Sequence, residues 1–438
     1  MQIREISLIR DFIGKYRRNT SLVRMLTILS MDVLARLSNI ILLPVYLRLM
    51  SQEEYGLYNY ILSIVTTFSV VLNFGLYVSQ TKYYSDVHDS EERKVVLFNI
   101  IVLLTGLLAV VMICAYAFGI DYRLIKLLFK DDIGYANLRL PLLLAVIVSV
   151  YVVILANYFV TSEKIDLFRK YNLFRLIVVN GTVVAALYFS KGEKIHVRLL
   201  YTYMAELLIL VIFSLYYVRD MLPKLDGKLM RKYLKLGLPV MFSAVWGMIS
   251  NYSDKFFLEK NGSAKDLSYY YLAFSVANVL YMICLAVQNS WLPTFLREKD
   301  LVTNMRQTKK LMTRLALGLL LLAGMLMVAF YMALRWKIIA PKYGPALPIL
   351  PFLLVAQILN GIVLLYSNYM IYFEKTHLSL FIGIITSIIG LIISYFLVPR
   401  WGTYGAVAAY LTVQLAYLGL YQWATRWHVS RISVTTPA

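Results

Sequence analysis

Cysteine and histidine are scarce in this 438-residue chain, which has only Cys114, Cys284 and four histidines. Both cysteines lie inside apolar runs, so no disulfide framework and no thiolate metal site follows. His88, His196, His377 and His428 are scattered near the ends of such runs and read as solvated or interfacial imidazoles. Charged residues make up only 16% of the chain. There is no phosphate-cradling P-loop, no nucleophile elbow and no His-Glu-x-x-His pattern. No polar stretch is long enough for a soluble catalytic domain. These absences exclude a self-contained ATP-driven pump and imply no cofactor.

Apolar residues are abundant. They form 60% of the chain, with a mean hydropathy of +0.68, against about 45–50% in soluble domains. A net charge of +20 first suggests nucleic acid. The basic residues, however, sit in short connectors between apolar runs, where they encode membrane topology, and no soluble basic domain is left to bind nucleic acid. A span needs about 20 mostly apolar residues. That rule places twelve spans, at 24–46, 60–80, 95–118, 140–161, 173–190, 199–218, 237–258, 269–290, 311–334, 347–370, 378–398 and 404–424. The patch Leu124 to Phe129 is too short to cross and is expected to lie at the surface. With the N-terminus inside, the inner segments hold 28 Lys and Arg and the outer ones 15, which favours cytoplasmic termini. The basic segment before Arg24 reads as a cytoplasmic lead-in, without the features of a cleaved signal peptide.

The spans divide into a lobe at 1–218, a basic cytoplasmic linker at 219–236 and a second lobe at 237–438. Faint echoes relate the halves. Tyr55-Gly56-Leu57-Tyr58 opens span two, and Tyr269-Tyr270-Tyr271-Leu272 opens span eight about 212 residues later. Span seven, with Asn251, Asp254 and Lys255, echoes the charged first span. Two pseudo-symmetric bundles are a common transporter plan.

Ionic groups inside the spans are the candidate site, because a charge there persists only facing protein or water. Asp32, Arg36 and Asn39 share one stripe of the first span. Arg36 either meets an anionic headgroup, with Asp32 as counter-charge or coupling-ion site, or the two form an internal ion pair. Glu206 either binds a proton reversibly or is hydrogen-bonded between helices near Tyr201 or Tyr203. Asp254 and Lys255, close to a span end, are expected to snorkel to water, as is Arg175. The amides Asn39, Asn73, Asn157, Asn180, Asn278, Gln357, Asn360 and Gln414 are numerous for membrane spans and suit a wet interior as well as interhelical bonds. The segment Glu53 to Tyr58 reads as an acidic-aromatic turn between the first two spans.

Some of these residues also carry a family likeness. Leu43-Pro44-Val45-Tyr46, Ser51-Gln52-Glu53-Glu54-Tyr55-Gly56-Leu57-Tyr58, Phe74-Gly75-Leu76 and Lys82-Tyr83-Tyr84-Ser85-Asp86 resemble bacterial polysaccharide-exporter flippases. That family belongs to the multidrug/oligosaccharidyl-lipid/polysaccharide transporter superfamily. Tyr343-Gly344-Pro345-Ala346 and Gly402-Thr403-Tyr404-Gly405-Ala406-Val407-Ala408 resemble its closing signature. The resemblance implies an all-α polytopic protein, with two six-helix bundles forming a V around a central cavity. It implies a flippase of the bacterial inner membrane that moves undecaprenyl-pyrophosphate-linked oligosaccharide by alternating access, with proton or sodium entry as the coupling. Arg36, Asn39, Asn73, Asn157, Arg175, Asn278 and Asn360 are then the cavity candidates, and Asp32, Glu206 and Asp254 the coupling candidates. The partners implied are the lipid-linked sugar, membrane lipids and other polysaccharide-assembly proteins. The second lobe is poor in central cations, which weighs against a strongly cationic cavity. A multidrug cation antiporter of the same superfamily, with an acidic cavity, is one alternative; a membrane glycan polymerase or ligase is another.

Overall fold

A computed structural model describes residues 41–87 and 89–435, together with Met31, Leu34 and Ser38. Residues 41–49 are helical (α1). They are followed by α2 (Gln52–Val71), α3 (Leu76–Asp86), α4 (Ser90–Ala117), the short α5 (Ile120–Leu128), α6 (Tyr135–Thr161), α7 (Ile165–Phe189) and α8 (Lys194–Arg219). The second half holds α9 (Gly227–Asn261), α10 (Ala264–Arg297), α11 (Leu301–Arg335), a 3₁₀ turn at Pro341–Ala346, α12 (Leu350–Tyr372) and α13 (Thr376–Thr435). Nine of these helices are long and apolar enough to cross a bilayer, and α2 with α3, bent by 43°, make a tenth span. In α13 only Gly402 departs from helical angles, at φ 53° and ψ −127°. That region of backbone space is open essentially to glycine alone. The residue therefore splits α13 into the two spans expected at 378–398 and 404–424.

The segment expected as a turn at Glu53 to Tyr58 is instead the start of α2. Ser51 accepts from the Glu54 amide while Glu54 accepts from the Ser51 amide, which is a capping box. The pattern Ser-x-x-Glu was the overlooked signal. Ser263 and Asp266 form the same reciprocal cap at the head of α10. Each pair is 212 positions apart (263 less 51, 266 less 54), so the internal repeat has a structural counterpart.

The two capped helices cross each other. A Cβ on Gly56 would collide with the Ala264 carbonyl oxygen and the Ser268 amide nitrogen, so the crossing is made backbone to backbone. Glu53 pairs with Lys265 at 3.3 Å. Both Gly56–Ser268 and Glu53–Lys265 join positions 212 apart, as contacts made across a two-fold axis do.

The lobes also meet at both membrane faces. On one face lies the non-helical connector 220–226, and residues 227–236 of the expected linker belong to α9. There Ser79 donates to the Tyr233 carbonyl at 2.8 Å, and Asn99 bonds Lys224 O and Asp226 N. On the opposite face Gln52 donates to Lys342 O at 2.7 Å, and Glu259 accepts from the Lys130 amide.

Helix α5 lies on that opposite face and is tied to α6. Arg139 reaches Asp121 at 2.6 Å and Tyr135 donates to it at 2.9 Å. Burial pushes the Asp121 carboxyl up, but these donors outweigh burial and hold it below its ordinary value.

Two outcomes follow. Gly56→Ala is expected to lower stability by roughly 1–3 kcal/mol through overpacking, read as a lower Tm of the full chain. Asp121→Asn is expected to lower Tm at pH 7. A depressed folded-state pKa contributes stability above the unfolded value of about 3.9 that is lost as pH falls through the lower folded one. The Tm gap between wild type and variant should therefore close in acid; a gap unchanged at pH 3 would contradict the assignment.

Candidate functional site

Below the α2–α10 crossing lies a cavity of about 400 Å³. Its walls come from α1 (Tyr46), α2 (Tyr55, Tyr58, Asn59), α7 (Arg175, Asn180), α8 (Arg198, Thr202, Glu206) and, across the lobe boundary, α10 (Ser275, Asn278). A smaller recess of about 160 Å³ continues past Arg175, Asn180 and Glu206 to Asn172 and Ser38. Arg175 stands ten residues into a 25-residue helix and Glu206 twelve into a 26-residue helix. Both therefore lie near the middle of the apolar layer.

The ionic groups are arranged in two ways. Arg175 donates to Glu206 Oε1 from Nη2 at 2.6 Å and from Nε at 3.0 Å. Both bonds end on one oxygen, and Oε2 receives none among the described residues. The Arg175 side chain is 37% exposed and that of Glu206 9%, and both line the cavity. Arg198 is held differently. Its guanidinium carbon lies 3.8 Å from the ring centroid of Tyr46 and 3.9 Å from that of Tyr58. Its Nη1 reaches Met50 Sδ at 3.3 Å. Such cation–π contacts stabilise a guanidinium without neutralising it. Among the described residues none offers Arg198 a carboxylate within ion-pair distance. Among the described lining residues, two arginines thus face one glutamate. Tyr46 completes the polar wall by donating to Asn180 Oδ1 at 3.2 Å.

The structure brings together Arg175, Glu206 and Asn278 of the expected set. Asp32, Arg36 and Asn39 lie outside the described residues. Asn157 bonds Tyr77 O, Gln80 and Thr81, joining α6 to α3. Asn73 is fully buried at the α2–α3 bend, where its Oδ1 accepts from the Tyr77 amide at 3.1 Å. Asn360 sits beside Gln357 within α12. None of these three lines the cavity.

The expectation that Asp254 and Lys255 snorkel to water is corrected, because the two are only 2% and 5% exposed. Lys255 donates to Asn251 O at 2.7 Å and to both Asp254 oxygens at 3.3 Å, and Tyr270 donates to Asp254 Oδ2. Phe274, 4.7 Å from the ammonium, helps close the pair off. Arg175, also expected to snorkel, turns to Glu206 because a carboxylate lies within reach. Arg198 was overlooked because hydropathy counting leaves it outside its span. The signal was its spacing: Arg198, Thr202 and Glu206 fall at i, i+4 and i+8, on one helix stripe.

Arg175→Met leaves Glu206 buried without its counter-charge and is expected to lower stability by roughly 1–3 kcal/mol. The double variant Arg175→Met/Glu206→Met should recover most of that loss. A Tm for the double variant equal to the sum of both single losses would show the groups to be uncoupled.

Comparison with known proteins bears on the fold and the family. The first of three similar solved structures is the lipid II flippase MurJ in an inward closed conformation. It has TM-score 0.75 and 15% identity, covering 91% of this chain and 87% of that one. An inward-facing multidrug resistance MATE family transporter of the MOP superfamily follows, with TM-score 0.64 and 15% identity over 94% and 96% of the two chains. An outward-facing conformation of a multidrug resistance MATE family transporter of the MOP superfamily matches with TM-score 0.54 and 15% identity over 95% of each chain. At such identities the likeness shows the fold: all-helical, two-lobed and multi-pass. No curated protein matches the chain. A family model described as "polysaccharide biosynthesis protein" matches residues 22–299. With well over half its length matched, the chain belongs to the polysaccharide biosynthesis protein family.

Proposed function

We propose that this protein is a flippase that carries an undecaprenyl-pyrophosphate-linked oligosaccharide from the cytoplasmic to the outer leaflet of the bacterial inner membrane, for surface polysaccharide synthesis. Both termini are cytoplasmic in this reading, and lobes 1–218 and 237–438 rock about the cavity by alternating access. The observation that carries it is Arg198, a buried guanidinium facing a polar chamber with no carboxylate partner among the described residues. Arginine's planar fork matches two phosphate oxygens at once. Asn59, Asn180, Asn278 and the tyrosines supply donors, acceptors and flat apolar faces, which suit sugar rings. The lipid tail stays in the bilayer, and only the head enters the chamber.

Coupling to a proton or sodium is assigned to Glu206, whose Oε2 is left open by Arg175. Asp254 is the weaker candidate, because Lys255 and Tyr270 already occupy its carboxylate. An organic-cation antiporter is the second reading within the fold, and it is disfavoured by the excess of arginine over carboxylate among the described lining residues, which repels a cationic drug. A glycan polymerase or ligase would draw on basic groups of the 119–139 connector, but Arg139 is committed there to Asp121.

The test is a deletion strain. Loss of the gene should accumulate lipid-linked sugar on the inner leaflet, and the wild-type gene should restore surface glycan. Arg198→Ala is expected to lower the rate of rescue by about ten- to a hundredfold, the weight of one or two charge-assisted hydrogen bonds. Arg198→Lys, which keeps the charge and loses the fork, should fall between. Unchanged surface glycan after deletion, or full rescue by Arg198→Ala, would defeat the reading.

A further inference from the structure

Helix α11 is longer than a bilayer needs. Its 35 residues rise about 52 Å, against a hydrocarbon layer of about 30 Å. Residues 315–334 contain no charged group and by themselves account for about 30 Å. Exposed Trp336 follows at one end, where interfacial aromatics anchor a span. The first fourteen residues therefore project from the hydrocarbon on the face that carries the 220–226 connector.

That projecting segment holds Arg306, Lys309, Lys310 and Arg314 and no acidic residue. Their spacing stacks all four on one helix face, and all four are exposed. The other face is fixed inside the protein through buried Asn304, Thr308 and Met312. Asn304 donates to Phe295 O at 2.8 Å, and Thr308 donates to Asn304 at 3.2 Å. The rotation of the helix is thus set by its buried side, and the cations point away from protein. Asp300 is occupied in capping α11 through the Val302 and Thr303 amides. Among the described residues none of the four cations has an ion-pair partner.

From Arg306 to Arg314 the axial rise is about 12 Å, while the headgroup layer is roughly 5–8 Å deep on each side. Arg314 and Lys310 consequently stand at the level of lipid phosphates, and Arg306 at the water edge. We infer that this face of α11 is a binding surface for the headgroups of anionic phospholipids, which supply the counter-charges the protein withholds. The surface is independent of the cavity and of what the cavity carries.

The test uses the full chain in neutral detergent, titrated with phosphatidylglycerol or phosphatidylcholine and followed by its Tm. Phosphatidylglycerol should raise Tm in the wild type, less so in high salt. In R306Q/K309Q/K310Q/R314Q the half-saturating phosphatidylglycerol concentration should rise at least about tenfold, since each basic residue adds to the attraction. K224Q/K228Q/K232Q/K235Q, of equal net charge on the same face, should respond as the wild type does. So should the charge-preserving R306K/R314K, which guards against a mere folding defect. Equal responses of the stripe variant and the wild type would overturn the inference and leave the stripe for an acidic protein. An equal loss in the control quadruple variant would overturn it in favour of a bulk charge effect.

Discussion

The crossing of α2 over α10 sets the positions of everything around it. Because Gly56 presents no side chain, the two backbones meet directly, and the neighbouring ion pair Glu53–Lys265 is drawn across the same axis. One turn further along α2 come Tyr58 and Asn59; two to three turns along α10 come Ser275 and Asn278. The roof of the chamber is therefore a direct product of how closely the two helix heads can approach. A larger residue at the crossing displaces both the contact between lobes and the polar groups beneath it. Reciprocal serine–acid caps at both helix heads hold each end in register, so local sequence and global symmetry support the same contact.

Two kinds of intramembrane charge are present, and their surroundings separate them. Asp254 and Lys255 satisfy each other and Tyr270 in a dry contact within the second lobe, which is how a charge is kept inside protein for structure. Arg175 and Glu206 are paired too, but one partner stays open to a chamber. Arg198, at the edge of its span, is stacked against two tyrosine rings and has no carboxylate partner among the described residues. An uncompensated charge in an apolar layer is expensive unless water or a ligand meets it. In the proposed reading, that cost is met by an anionic headgroup entering the chamber.

Much of this was legible in the sequence, for identifiable reasons. Span positions follow from the number of apolar residues needed to cross a bilayer, a constraint strong enough to survive ignorance of packing. The division into two halves was visible through the 212-residue echo, because repeated helix starts preserve their capping residues. Arg198 was not legible by hydropathy, which averages over a window and discards a charge at a span's edge. Nor was the fate of Lys255, because snorkelling and burial give the same local sequence and differ only in which aromatic rings arrive from α10 and α13. The turn expected at Glu53 to Tyr58 is a helix start, because acidic residues beside a serine suit a helix cap as well as a loop. Pairing of Arg175 with Glu206 joins residues 31 positions apart, and no periodicity within one helix reports a contact between two.

The break at Gly402 has a mechanical side. Joining the last two spans through one non-helical residue leaves no spare chain between them. A cap or loop of several residues absorbs strain when its neighbours shift; a single-residue reversal transmits it. Any tilt of the penultimate span must drag the final one with it, so the end of the second lobe behaves as one stiff lever in place of two independent rods.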